Sequence, residues 1–436
     1  MLRYNIFLAA RGIRRHPILS ALMAVAVALG IAMFMSIFTI SQSMSKNPLP
    51  HKNDFLYRVQ LDAGDPNRPG DDPENRPHQL TYMDALALMR EGWALRQSAM
   101  FGISAIIRPE GAEVPFEVFG RAAYSDFFSM FDAPFKYGGP WSDTADENRE
   151  RVVVLAASIN DQLFGGEDSV GEHITLKEEL FRVVGVLEEW NLLPRVYDYE
   201  WSPTEDTFIP FTTAAEMEFD RRGSTNCWQS IPGQGHQAFL ASECIWIQFW
   251  VELSDPSERT SYLRFLDSYA NQQKELGRFQ RPLDNAVHTI DEWSKYIRAV
   301  DEGIVVTIII ALLFLIVCLI NSIGLLLAKF LSRNSELAVH RAMGASRVQL
   351  FTRFLVESAC IGFAGGLLGL VFAWLGLMGI RILFRGESVV AHVTQLDFSL
   401  AIGTILLAIV ASLAASLYPA WRGSRGTPAS LLRDAK

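Results

Sequence analysis

Every short motif that would mark chemistry of its own is missing from this sequence. There is no Gly-x-x-x-x-Gly-Lys-Ser/Thr run and hence no nucleotide-binding P-loop; Gly344-Ala345-Ser346 lacks both the glycine spacing and the lysine. His-Glu-x-x-His and Gly-x-Ser-x-Gly are absent too, which removes the zinc-protease and serine-hydrolase signatures. His51, His78, His173, His236 and His288 are scattered without metal-ligand spacing. They read as solvated or structural, so no metal site, catalytic residue or resident cofactor is expected. The acidic pairs Glu178-Glu179 and Glu188-Glu189 read as charged surface. Cysteine is scarce, with 4 in 436 residues. Cys318 and Cys360 fall in apolar runs and read as packing residues. Cys227 and Cys244 flank a turn-rich loop with Pro232, Gly233 and Gly235. In an oxidising compartment a disulfide between them is expected, worth roughly 3 kcal/mol in the chain-entropy model; two free thiols are the alternative.

Long apolar runs are what the sequence does contain. Half of its residues are hydrophobic although 20% are charged. The excess sits in residues 19–40, 304–327, 361–380 and 400–417. About 20 residues at 1.5 Å rise cross a hydrocarbon core of about 30 Å, so each run is long enough to span a membrane. Buried helices of a soluble protein would keep a polar stripe that these runs lack. Ionisable side chains in them are confined to Lys329 and Glu357 near span ends, which offers no ion or proton relay. A signal peptide is the competing reading of the first run. That run is too long for a typical signal core, and no convincing cleavage site precedes Pro48, so a retained span is expected. Ala24, Ala28 and Ala32, at spacing four, would let another helix approach it closely.

Charge separates the chain into two characters. Residues 46–298 hold most of the 48 acidic residues and are net acidic, whereas the remainder is net basic. Arg3, Arg11, Arg14 and Arg15 precede the first span; Lys329, Arg333, Arg341, Arg347 and Arg353 separate the second from the third; Arg422, Arg425, Arg433 and Lys436 follow the fourth. Only Arg381 and Arg385 lie between the third and fourth. The positive-inside rule puts both termini in the cytoplasm of a bacterial inner membrane, with residues 46–298 in the periplasm. The expected organisation is an amphipathic helix at 1–17, whose arginines can meet lipid phosphates, and spans at 18–45, 299–330, 354–384 and 398–419. An external domain fills 46–298, a cytoplasmic coupling segment 331–353, an external loop 385–397 and a cytoplasmic tail 420–436.

The external segment reads as α+β, in one or two lobes. Residues 55–61 alternate like a strand, and 103–108, 115–120, 151–155, 181–187, 206–210 and 245–253 add strand candidates. Residues 81–90 read as a helix with Thr81 as N-cap and Asp84 at its third position, and 257–276 as another helix. The fold class is thus a four-span helical membrane protein, arranged 1+3, with a large α+β domain between spans one and two.

The stretch 335–369 is a polar, cation-bearing segment between two spans. In it Leu337, His340 and Arg341 have helical spacing, and Gly344-Ala345-Ser346 reads as a break and restart. Glu336-Leu-Ala-Val-His-Arg-Ala-Met-Gly-Ala-Ser-Arg, Phe354-Leu-Val-Glu-Ser and Gly365-Gly-Leu-Leu-Gly resemble the FtsX-domain signature of MacB/FtsX-type ABC transporter permeases, the mechanotransmission or type VII class. Arg151-Val-Val-Val-Leu, Leu163-Phe-Gly, Val170-Gly and Phe181-Arg-Val-Val-Gly-Val-Leu resemble that family's periplasmic core, and Tyr418-Pro-Ala-Trp-Arg-Gly-Ser-Arg its tail.

The resemblance implies a non-enzymatic permease subunit that works with a separate ABC ATPase, which would bind the ATP and magnesium. It further implies pairing with a second permease copy or paralogue, and a periplasmic adaptor and outer-membrane channel as possible further partners; no nucleic-acid partner is expected. Within the coupling segment it assigns Glu336, His340, Arg341, Gly344, Ala345 and Arg347 to ATPase coupling. His340 stands where an apolar or basic residue is more usual. Gly362, Gly365, Gly366 and Gly369 would pack span three closely on a neighbour, in the same chain or in a second copy. The implied function is ATP-driven export of a drug, peptide or lipid-like substrate from the periplasm. The alternatives are an FtsX-like regulatory scaffold that activates a cell-wall hydrolase and a lipoprotein-releasing permease.

Overall fold

The computed structural model describes residues 7, 11–43, 47–67, 76–109, 114–190, 192, 194–198, 204–282, 284–300, 302–331, 339, 342–383 and 398–424. Helix α1 is Pro17–Ser43. The inserted unit follows with β1 (Leu56–Gln60), β2 (Leu80–Thr81), α2 (Tyr82–Glu91), β3 (Arg96–Ile107), β4 (Phe116–Ala123), α3 (Asp126–Met130), β5 (Phe135–Gly138) and α4 (Asp143–Asn148). It continues through β6 (Val152–Leu155), α5 (Ala157–Phe164), β7 (His173–Leu176), β8 (Glu179–Leu187), β9 (Thr207–Pro210), α6 (Phe211–Glu216), β10 (Asp220–Arg222) and α7 (His236–Leu240). Strand β11 (Ile245–Glu252), α8 (Arg259–Glu275), β12 (Ala286–Thr289) and α9 (Ile290–Val300) complete it. Three long helices end the chain: α10 (Glu302–Leu331), α11 (Arg347–Leu383) and α12 (Phe398–Ser424). Helices α1 and α10–α12 form one compact unit, and the inserted elements form another.

In the helical unit, α1, α10, α11 and α12 are each long and apolar enough to cross a membrane. The 37 residues of α11 would extend about 55 Å at 1.5 Å per residue, well beyond a hydrocarbon core of about 30 Å. The helix begins at Arg347, so the end of the 331–353 segment forms its first turns. Small residues let α11 lie between α1 and α12. A Cβ on Gly365 would stand 3.1 Å from the Ala24 carbonyl oxygen, and one on Gly369 3.2 Å from that of Ala28. On the other face, a Cβ on Gly362 would come within 2.8 Å of Ser412, and one on Gly366 within 2.9 Å of the Ala408 Cβ. Gly365 and Gly369 thus approach Ala24 and Ala28 of α1, and Gly362 and Gly366 approach α12, all within one chain.

The inserted unit is built on one mixed sheet with the main order β12-β1-β11-β3-β4-β9-β6-β8-β5; β10 and β7 pair with β3, and β2 with β11. Successive side chains of a strand point to opposite faces. In β6, Val153 and Leu155 join one core and Val152 and Val154 the other, which is why this strand is apolar throughout. The first core gathers Phe101, Ile103, Phe211, Trp246 and Val251 beneath Ala85 and Leu88 of α2 and Tyr262 and Leu266 of α8. The second gathers Phe127, Phe128, Phe131, Phe208 and Trp250 beneath Trp293 of α9. Both candidate lobes thus share a single sheet. Thr81 caps α2 by accepting the Asp84 N–H at 3.1 Å. Cys227 and Cys244 form a disulfide with Cα atoms 4.2 Å apart, beside the paired Asn226 and Ile245 backbones.

Candidate functional site

The turn before α11 is built by local chemistry. The Met343 N–H donates to the Val339 carbonyl at 3.0 Å, closing one helical turn. Gly344 follows at φ +95, a left-handed conformation that L side chains rarely adopt and that ends a helix. Ser346 then starts α11 with a reciprocal capping box: its Oγ accepts the Gln349 N–H at 3.2 Å, and the Gln349 side chain accepts the Ser346 N–H at 2.9 Å. Arg347 is the first residue of α11, and Ala345 lies between glycine and cap. Glu336, His340 and Arg341 lie outside the described residues.

The turn's surface is apolar as well as cationic. Val339, Met343 and Val348 are exposed by 54%, 70% and 72%. Sequence reasoning chose the charges and passed over these three, although Val339 and Met343 stand four residues apart, the spacing of one helix face. Below the turn the helix becomes buried. Leu350 and Phe354 join Met23 and Ala24 of α1, Leu326 of α10 and Ala420 of α12 in one cluster. Within about two more helical turns, Glu357 meets Lys329 at 2.6 Å, both almost fully buried.

In the inserted unit, the segments that follow α1 and precede α10 in sequence are tied together. The Asn47 amide donates to Asn53 and to Asp291, each at 3.1 Å, and Asn53 Oδ1 accepts the Asp291 N–H at 3.0 Å. Helix α9 opens with a second capping box, between Thr289 and Glu292. Its Trp293 stacks under Arg58, whose guanidinium carbon is 4.9 Å from the ring and whose Nη2 donates to the His78 carbonyl at 2.6 Å. Burial holds the Arg58 pKa down at about 9, so it stays charged at neutral pH. Burial, aided by nearby Arg58 and Arg76, lowers His78 to about 4; burial likewise lowers His288 to about 4 despite Glu292. Both imidazoles are neutral at pH 7 and serve as aromatic packing. Among the described residues no cluster of His, Cys, Asp and Glu could hold a metal ion.

Two family models match the chain: "MacB-like periplasmic core domain" over residues 20–261 and "FtsX-like permease C-terminal" over residues 308–428. Among curated relatives, the macrolide export ATP-binding/permease protein MacB of Escherichia coli O6:K15:H31 (strain 536) is 22% identical over 380 residues, covering 87% of this chain and 53% of that protein. The same-named protein of Shigella boydii serotype 4 (strain Sb227) is 22% identical over 419 residues, covering 96% and 58%. The chain thus spans about half the length of the curated relatives it matches. The periplasmic region of MacB from Actinobacillus actinomycetemcomitans aligns at 17% identity and a TM-score of 0.37, over 58% of this chain and 98% of that structure. With a MacB-like core domain inserted after the first of four candidate spans and an FtsX-like domain over the last three, this chain belongs to the MacB/FtsX family of ABC transporter permeases.

Proposed function

We propose that this chain is the transmembrane subunit of an ATP-driven transporter, which receives force at the Gly344 turn and delivers it to the inserted domain in the periplasm. The observation that carries this reading is the turn itself. It exposes three apolar side chains and Arg347 on a helix whose next turns are locked into all three other long helices. Energy would come from an ABC ATPase that binds ATP and magnesium, the partner that membership of this permease family implies. A second permease copy or paralogue would complete the pair of lever arms, and an adaptor and outer-membrane channel would carry substrate onward. Export of a drug, peptide or lipid-like compound from the periplasm is favoured over an FtsX-like scaffold because a MacB-like core domain matches most of the inserted unit.

Gly344 gives the decisive test. Nothing lies within 4 Å of a Cβ placed there, so Gly344→Ala meets no steric clash and probes only the left-handed backbone. That strain is about 1–2 kcal/mol. Gly344→Trp adds bulk at the docking face. Both variants should insert normally, yet Gly344→Trp should abolish, and Gly344→Ala weaken, the stimulation of the partner ATPase by permease in proteoliposomes. Stimulation unchanged in Gly344→Trp would remove the turn from the docking surface.

A further inference from the structure

A chain that keeps charge out of the middle of its spans nevertheless buries Lys329, Arg353 and Glu357 in the helical unit. Lys329 Nζ on α10 lies 2.6 Å from Glu357 Oε1 on α11, with the two side chains 0% and 1% exposed. The same Nζ donates to Ser20 Oγ on α1 at 2.8 Å, and that hydroxyl donates to the His16 carbonyl at 2.9 Å. One polar knot therefore ties three helices: α11, which carries the turn, and α1 and α10, the two that bracket the inserted domain in sequence. Next to it, Ser322, Ser358 and Ser412 line a cavity of about 10 Å³ together with Met23 and Leu326. The hydroxyls of Ser358 and Ser412 have no hydrogen-bond partner, and the cavity is about the size of one water molecule.

Apolar packing is non-directional and lets helices slide or turn with little penalty. An ion pair out of water resists both motions, because any relative displacement separates opposite charges where little screens them. We propose that Lys329, Glu357 and Ser20 are positioning residues that join α11 to α10 and α1, so that displacement of the Gly344 turn reaches both approaches to the inserted domain. This rests on the docking role given above to that turn. The charges of the pair are met by each other and by Ser20, so it works as a joint rather than as an ion relay.

The test is hydrogen exchange of the full chain with its ATPase in nanodiscs, with and without ATP plus orthovanadate. In the unmodified complex, nucleotide should change exchange both at residues 347–357 and in α9 with residues 47–60. The double variant Lys329→Met/Glu357→Gln removes both charges of the pair together, replacing them with neutral groups of similar size. It should keep the response at 347–357 and lose the response in the inserted domain, while Lys329→Arg keeps both. Ser20→Ala leaves the charges paired and keeps the proposal testable if the double variant misfolds; it should reduce the response at 47–60 more than that in α9. Responses retained throughout in either variant would show a pair that only stabilises the bundle, and would overturn the joint. No nucleotide response at 347–357 in the unmodified complex would instead overturn the docking role and the joint with it.

Discussion

Burial decides how Asp146 behaves. Its carboxylate is 2% exposed and accepts the Trp141 indole N–H at 2.9 Å and the Ser125 N–H at 3.1 Å. Burial outweighs those hydrogen bonds and pushes its pKa up to about 7. A carboxyl whose pKa is raised on folding binds more protons folded than unfolded, so its contribution is present at low pH and lost as pH rises through about 7. Asp146→Asn keeps an acceptor for both donors and cannot ionise. Its stability relative to the unmodified chain should therefore rise by about 2 kcal/mol between pH 5 and pH 8, read as thermal unfolding by tryptophan fluorescence in detergent. A constant difference across that range would mean that Asp146 titrates normally. Arg121 is the opposite case. Burial disfavours its charge, but Asp198 and Glu205, the latter at 2.9 Å, outweigh that and hold its pKa above the usual range. Arg121→Met should cost about 3–5 kcal/mol by removing the buried guanidinium that Asp198 and Glu205 share, although Arg195 still meets Glu205 at 3.3 Å, and a chemical-denaturation midpoint unchanged from the parent would contradict that.

At the scale of elements, legibility followed how many demands a segment satisfies at once. Strand β6 was readable because both its faces are buried and apolar, and β8 because its Phe181 and Val183 alternate on one buried face. Helix α2 was readable down to its cap. Strand β3 was expected from residue 103 but starts at Arg96, because Gln97 and Ser98 look like loop residues and break any alternation. Their polar groups are buried and satisfied: the Gln97 amide donates to the Met89 carbonyl at 2.7 Å, and Ser98 Oγ accepts the Tyr124 N–H at 3.2 Å. Helices α3 and α4 are too short for any periodicity to show. In the candidate site, the break at Gly344 was legible from glycine chemistry, whereas the pairing of Lys329 with Glu357 was not. Contact between residues on different helices leaves no local pattern. The close approach of α11 to α12 gives a direct check. Leucine at Gly362 or Gly366 would collide with α12 and should cost about 1–3 kcal/mol, seen as a lower melting temperature in detergent. Gly376 and Gly379 on the same helix have nothing within 4 Å of a placed Cβ, so leucine there should leave the melting temperature unchanged. Leucine has the higher helix propensity, so equal loss at all four positions would mean that collision with α12 does not set the effect.

For the whole molecule, the charge distribution leads to the expectation that the two charge characters lie on opposite sides of a membrane. The family carries its core domain between spans one and two, and the basic residues cluster around the termini and the Gly344 turn, away from that domain. Cationic flanks stay on the cytoplasmic side, while a long acidic domain translocates largely irrespective of charge. The turn and the domain are therefore expected in different compartments, one facing the ATPase and the other the substrate. Two single-cysteine variants can decide this. Val114 in the inserted domain and Val348 beside the turn are 81% and 72% exposed, so a thiol at either position would be open to a water-soluble reagent. Background labelling should be low, since Cys227 and Cys244 are paired and Cys318 and Cys360 lie within α10 and α11. In spheroplasts, a membrane-impermeant maleimide should label Val114→Cys at once and Val348→Cys only after the membrane is opened. Labelling of both from outside, or of Val348→Cys alone, would put the turn beyond reach of any cytoplasmic ATPase and end the force-transmission reading.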